Sequence, residues 1–340
     1  MSYPELSSQS NFDFHLMDIK SLLEDTTVLR NIPNFSLTNN DNFYKREDKK
    51  GWWMATKQIV IRRYIEEYLT ILGKDKWDYI NLYFIDLLSS FGMNKVTKSR
   101  GDDEFMFPGS SVSAALISSR RTRGFKKIYA NDFKCKERTI LNNRLNALIK
   151  NKEYKNLDIE MELNSKEIDS NIWSLQVLNQ IKNSDRTFNY LMIIDNEGMN
   201  INYDTLKKIR AMHNFGDIII NFQDTGIVRN LKNAPLKVKE FFGKEIPIST
   251  KKEELCDIYV EQLKKIGLKN IEKLRIASDS GFYYTLLFCC RSDSDARWLK
   301  MIKYYRNERF KNWTDSDVKK MWDVAMGKFK PLHKFMKTKL

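Results

Sequence analysis

Only three histidines (His15, His213, His333) and four cysteines (Cys135, Cys256, Cys289, Cys290) occur in 340 residues. No C-x-x-C pair is present and the histidines lie far apart, so the ligand spacing of a structural zinc site is missing. Glycine (13) and proline (6) are also scarce, which excludes collagen-like, linker-rich and Gly-rich-loop architectures. No apolar run approaches the roughly 18–20 residues of a membrane span. The start MSYPELSSQS lacks a basic stretch followed by an apolar one. A cytoplasmic protein with reduced thiols and no membrane partner is expected.

What is present points to a folded, basic protein. Hydrophobic residues make up 42% and charged residues 30%, enough to build a large core and keep it soluble, so disorder is excluded for most of the chain. Lys+Arg number 58 against 44 Asp+Glu, a formal +14 that favours a polyanionic partner. The length suits one main body of roughly 200–250 residues with helical appendages. Residues 1–45 are rich in Ser, Asn and Asp. Through residue 40 the acids Glu5, Asp13, Asp18, Glu24 and Asp25 outnumber Lys20 and Arg30, and the whole stretch reads as a partly disordered arm. Residues 46–290 carry the main domain and 291–340 a basic helical segment.

From Met54 to Leu72 apolar residues recur at helical spacing and Gly73 follows as a stop signal. Tyr79 to Asp86 is a β-prone apolar run ending in an acid, followed by the small-residue turn Ser89-Ser90-Phe91-Gly92. The alternation continues with helices over 108–121, 135–150, 169–183, 203–213 and 252–266. Strands are expected over 127–132, 157–163, 190–195 and 217–222. Two further strands, 268–277 and 282–290, lie too close for a crossover and form an antiparallel hairpin. Adjacent Cys289 and Cys290 in the last strand then point to opposite faces as packing thiols. The expected fold class is α/β: a doubly wound, mostly parallel seven-stranded sheet closing in a C-terminal antiparallel hairpin, with added helices. That architecture is shared, as a fold-level analogy, with class I S-adenosylmethionine methyltransferases.

In such a sheet ligands sit beyond the carboxyl ends of the strands, where strand order reverses. Three expected strands deliver an acid there: Asp86, Asp132 and Asp195. Asp132, with Asn131 beside it, follows the second strand of the main domain, where a carboxylate can accept both hydroxyls of a ribose. Ser89, Ser90 and Gly92 after Asp86 would let the backbone approach a ligand. Each acid taken singly could equally begin a polar loop or cap a helix.

The chain resembles the three-Cys-motif partner (TcmP) family over about residues 50–305. The resemblance rests on Trp52-Trp53-Met54-Ala55-Thr56-Lys57, Asp86-Leu87-Leu88-Ser89-Ser90-Phe91-Gly92, Gly109-Ser110, Asn131-Asp132 and Asp195-Asn196-Glu197-Gly198. Asp217, Asn221 and Phe222 with Arg229-Asn230, and the final Tyr283-Tyr284, Leu286 and Phe288, complete it. It implies a methyltransferase-like Rossmann fold, S-adenosylmethionine as cofactor and a partner protein carrying a three-cysteine motif. Ser90-Phe91 stand where the family has Gly-Pro, Asn164-Ser165 where it has an acid, and Asn196 where it has proline. A catalytically degenerate fold, serving as scaffold for the three-cysteine partner or for nucleic acid, is therefore the alternative to an enzyme.

For catalysis, Asp195 is the candidate for a polar contact to the methyl acceptor and Glu197 for a base, though both could simply cap the following helix. Asp195-Asn196-Glu197-Gly198 lacks the proline and aromatic of an exocyclic-amine methyltransferase loop, and no cysteine suggests a covalent pyrimidine mechanism. Residues 291–340 hold 14 Lys+Arg and 6 Asp+Glu, interleaved with Trp298, Tyr304, Tyr305, Phe310, Trp313 and Trp322. Such a segment can stack on nucleic acid, but helical spacing also makes these aromatics the inner face of packed helices, the expectation for most of them. Arg120-Arg121-Thr122-Arg123 with Lys126-Lys127 forms a second basic cluster near a strand start.

Overall fold

A computed structural model describes residues 8–37, 52–97, 104–151, 160–163, 167–196, 198–213, 215–277, 283–290, 297–309 and 313–328. In chain order the elements are α1 (Ser8–Asn31), α2 (Trp52–Leu72), β1 (Asn81–Asp86), β2 (Met93–Thr97), β3 (Glu104–Pro108), α3 (Ser110–Ser119) and β4 (Lys127–Ala130). There follow α4 (Cys135–Lys150), β5 (Glu160–Leu163), α5 (Ser170–Ser184), β6 (Phe188–Ile194), α6 (Tyr203–Met212), β7 (Gly216–Phe222), α7 (Asp224–Asn233) and α8 (Pro235–Phe242). The chain continues through α9 (Lys252–Lys265), β8 (Asn270–Ala277), β9 (Tyr283–Cys290), α10 (Arg297–Tyr304) and α11 (Asp315–Ala325).

The near-continuous apolar runs of β6 and β7 are buried at every residue, as strands covered on both faces require. Tyr190, Met192 and Ile194 of β6 enter the core shared with α5–α9, while Leu191 and Ile193 enter the one shared with α1–α4, α10 and α11. The main sheet has the order β5-β4-β1-β6-β7-β9-β8. β5, β4, β1, β6 and β7 are parallel, and β9 and β8 are antiparallel to their inner neighbours. Cys289 and Cys290 enter the two opposite cores, as alternation requires. The chain starts centrally at β1, steps outward to β5, then returns to the far side of β1 as β6. Strand order therefore reverses between β1 and β6, and a crevice at their carboxyl ends is built into the topology.

The N-terminal segment corrects the expectation of a disordered arm. Residues 8–31 are helical, and Ile19, Leu22, Leu29, Ile32 and Phe35 lie in the core. Two of the acids that suggested a solvated arm, Asp18 and Asp25, are ion-pair partners. Asp18 pairs with Arg63 at 2.7 Å, and Asp25 with Arg62 at 2.9 Å and Arg120 at 2.6 Å, tying α1 to α2 and to the end of α3. Residues 1–7 and 38–45 of that segment lie outside the described residues.

Two further features were not expected. The antiparallel hairpin β2–β3 intervenes before α3, which begins at Ser110 rather than Pro108, and α7 and α8 fill the stretch between β7 and α9. At the C-terminus, Ile302, Tyr305, Val318, Met321 and Trp322 are buried in the same core as α2. Trp322 meets Trp52 and Phe105 edge-on at 5.6 and 5.1 Å, and Trp313 stacks on His15 at 3.8 Å. These aromatics are therefore packing residues. Phe310 and the side chain of Trp298 lie outside the described residues.

Candidate functional site at the carboxyl edge

Register brings the three acids to one edge. Asp86, the last residue of β1, is level with Ala130 of β4 and Ile193 of β6, so Asp132 and Asp195 stand two residues beyond it on either side.

Asp86 itself is a frame residue. It is fully buried, accepts hydrogen bonds from the hydroxyls of Ser110 and, at 2.7 Å, Ser111, and faces the first turn of α3. Burial, reinforced by the nearby Asp195 charge, pushes its carboxyl up to about 6 against the lowering effect of the two serines. Ser89 Oγ donates to Asp86 O and lies 3.0 Å from Ser111 Oγ. The amides of Ser89 and Asn131 lace β1 to β4 through Asn131 O and Asp86 O, at 2.8 and 2.9 Å.

Gly92 has φ 72°, and a Cβ there would lie 2.5 Å from Leu141 Cδ1. The glycine is thus demanded by α4 packing behind the turn. Arg144, buried and lowered to about 10 by that burial, donates to Phe91 O at 2.5 Å and to Ser36 O at 2.8 Å, fastening the same turn to the N-terminal segment.

The surface at this edge is made by Ser90 and Asp132, with Asn131 fully buried behind them. Ser90 adopts φ 49°, a left-handed conformation unusual for a residue with a side chain, and aims its N–H at Asp132 Oδ2, 3.0 Å away. The Lys134 N–H binds Asp132 Oδ1, also at 3.0 Å. Asp132 keeps 9% of its surface exposed. A carboxylate offers about four acceptor positions; two are taken by these amides. Glu137, buried beside it, pairs with Lys134 Nζ at 3.0 Å, yet its carboxyl is pushed up to about 7 by burial and then by the Asp132 charge. The buried Asn131 Oδ1 has no protein partner.

Sequence reasoning passed over two residues here. Phe133 follows Asp132 and is 53% exposed, an aromatic held out beside the carboxylate. Buried Arg138 clamps the turn by donating to the carbonyls of Asp132, at 2.7 Å, and Phe133. An exposed aromatic directly after a strand-end acid was the available signal.

On the other side of β1, Asp195 is already engaged. Lys57 of α2 donates to its Oδ2 at 2.5 Å, and Asn221 Nδ2 to its Oδ1 at 2.8 Å. Asn221 and Gln223 also donate to Asn196 O, at 3.3 and 2.6 Å. Buried Asn196 Nδ2 and Asn221 Oδ1 have no protein partner, so this corner carries one spare donor and one spare acceptor. Glu197, the expected base, and Asn164-Ser165 lie outside the described residues. Among the described residues no group of His, Cys, Asp and Glu is placed to hold a metal, and no helix is long and apolar enough to cross a membrane.

No family model matches the chain, and no curated protein matches it. Among solved structures it is similar to protein LPL1258 from Legionella pneumophila, with 12% identity and a TM-score of 0.44 over 74% of this chain and 91% of that one. It is similar to Trm1 from Pyrococcus horikoshii, solved with S-adenosyl-L-methionine, with 12% identity and a TM-score of 0.37 over 68% of this chain and 54% of that one. It is also similar to the small RNA methyltransferase HEN1, with 11% identity and a TM-score of 0.35 over 69% of this chain and 26% of that one.

Proposed function

We propose that the chain is an S-adenosylmethionine-dependent methyltransferase that holds its cofactor at Asp132. The observation that carries this reading is the Asp132 carboxylate: oriented by two backbone N–H groups, with 9% of its surface left open at the carboxyl edge beside β1, one strand from the order reversal, and with acceptor positions left over. A ribose presents two adjacent hydroxyls, and hydrogen bonds to a charged acceptor contribute on the order of 1.5–3 kcal/mol each. Phe133 supplies an apolar face for the adenine. When bound, the cofactor supplies an electrophilic methyl group.

The residues of the chain orient the methyl acceptor. The Lys57–Asp195 pair leaves the β6 corner close to neutral, with the spare donor and acceptor of Asn196 and Asn221 buried behind it. Asp195, held by Lys57 and Asn221, acts as a polar anchor and is not free to serve as a base. Transfer then relies on positioning a group that is already nucleophilic.

That same closed corner favours a second reading, in which the fold binds without transferring and serves as scaffold for a three-cysteine partner or nucleic acid. Thermal unfolding with S-adenosylmethionine or its demethylated product separates binding from its absence. At one hundred times Kd a ligand adds about 2.7 kcal/mol, a clear rise in Tm. An unchanged Tm at millimolar ligand rejects the cofactor reading. A raised Tm without methyl transfer to any offered acceptor supports the scaffold.

A further inference from the structure

The opposite, amino edge of the sheet carries features that the carboxyl-edge site does not use. The loops entering β4, β1, β6 and β7 (residues 120–127, 73–80, 182–187 and 210–215) hold ten Lys or Arg and three Asp. They form one connected surface. Arg123 donates to Leu72 O at 2.9 Å and to Ile80 O, joining the first loop to the second. Asp185 accepts from Asn81 Nδ2 at 2.8 Å and pairs with Lys126 at 2.9 Å, joining the third. His213 stacks on Phe188 at 3.8 Å and bonds its carbonyl at 2.8 Å, joining the fourth.

From this basic edge two large side chains project into solvent: Tyr79, 61% exposed, and Phe215, 58% exposed. They precede β1 and β7, with only β6 between, so they stand about 10 Å apart, two inter-strand spacings. Lys76 lies over the half-buried Trp77 ring at 5.1 Å beside them. Exposed aromatics set among bases, each backed by one ring (Tyr79 by Trp77 at 6.3 Å, Phe215 by His213 at 5.6 Å), differ from a protein-binding patch, whose centre is depleted of charge. They match a single strand of nucleic acid, whose bases stack on sequence-tolerant aromatic platforms while cations track the phosphates.

We propose that this amino edge binds single-stranded nucleic acid, with bases on Tyr79 and Phe215 and phosphates on Lys76, Arg121, Lys182 and Arg186. The strands are six or seven residues long, which separates this surface from the carboxyl edge by about 20 Å. It is therefore a holding surface, independent of whether the cofactor site is competent.

Fluorescence anisotropy with a labelled oligouridine of about 12 nucleotides tests this. Binding is expected at about 50 mM salt, weakening steeply as salt rises. The pair Tyr79→Ala and Phe215→Ala should weaken binding about tenfold with little change in salt slope. The pair Lys182→Gln and Arg186→Gln should flatten the slope by about 1.4. Tyr79→Phe with Phe215→Tyr should bind like the original chain, which separates stacking from damage to the fold. No binding at low salt, binding indifferent to both pairs, or equal binding of a duplex indifferent to Tyr79 and Phe215 overturns the proposal.

Discussion

Ser90 donates its backbone N–H to Asp132 Oδ2 at 3.0 Å while holding φ at 49°, so a strained turn after β1 and the acid after β4 are fixed by one bond. The left-handed conformation costs a residue with a side chain about 1–2 kcal/mol. Ser90→Gly, which keeps the N–H, is expected to raise stability by up to about 1 kcal/mol after the added chain entropy of glycine is counted. Gly92→Ala should do the reverse, losing about 2 kcal/mol as its Cβ meets Leu141. Denaturant unfolding of both variants checks the pair.

The sheet was legible because β1, β4, β6 and β7 are apolar runs between polar turns, and the final pair of strands was too close for anything but a hairpin. The acidic strand ends were legible for the same reason: a carboxylate marks where a buried run meets solvent. What each acid does was not legible. Asp86 is filled by Ser110 and Ser111, and Asp195 by Lys57, a residue 138 positions away. Helix α1 was missed because Asp18 and Asp25 look solvent-facing until Arg62, Arg63 and Arg120 are brought beside them.

Removing residues 1–37 should abolish cooperative folding. Ile19, Leu22, Leu29, Ile32 and Phe35 would leave the core, and five such side chains contribute about 10 kcal/mol, comparable with the whole stability of a typical domain. Circular dichroism during heating checks this; a sharp transition in the shortened chain would restore the description of this segment as an arm.

Glu137 gives stability and binding opposite pH responses. Its carboxyl is raised to about 7 in the folded chain from an ordinary 4.5, so between these values the folded state holds the extra proton. Stability should fall as pH rises through that window and then level off. Cofactor affinity should rise from about pH 6 to 8, because deprotonation adds negative charge beside a cationic ligand. Glu137→Gln should flatten both profiles, read by unfolding and by calorimetry.

Lys57→Met should cost about 3 kcal/mol, since it strands Asp195 without its cation. Adding Asp195→Asn should recover part of that loss. Unfolding of the two single variants and the double variant gives the coupling; strictly additive losses would mean that the pair does not hold α2 to the end of β6.

The most direct test of the cofactor site is calorimetric titration of S-adenosylmethionine into the full chain, into Asp132→Asn and into Phe133→Ala. Asp132→Asn keeps an acceptor for one of the two turn amides, sets its NH2 against the other and removes the charge. Saturable binding is expected in the full chain, weakened about tenfold or more by Asp132→Asn and less by Phe133→Ala, with each free protein still unfolding cooperatively and Asp132→Asn at a lower Tm because one turn amide loses its acceptor. No heat at millimolar ligand, or equal affinity in the chain and in Asp132→Asn, would contradict the account.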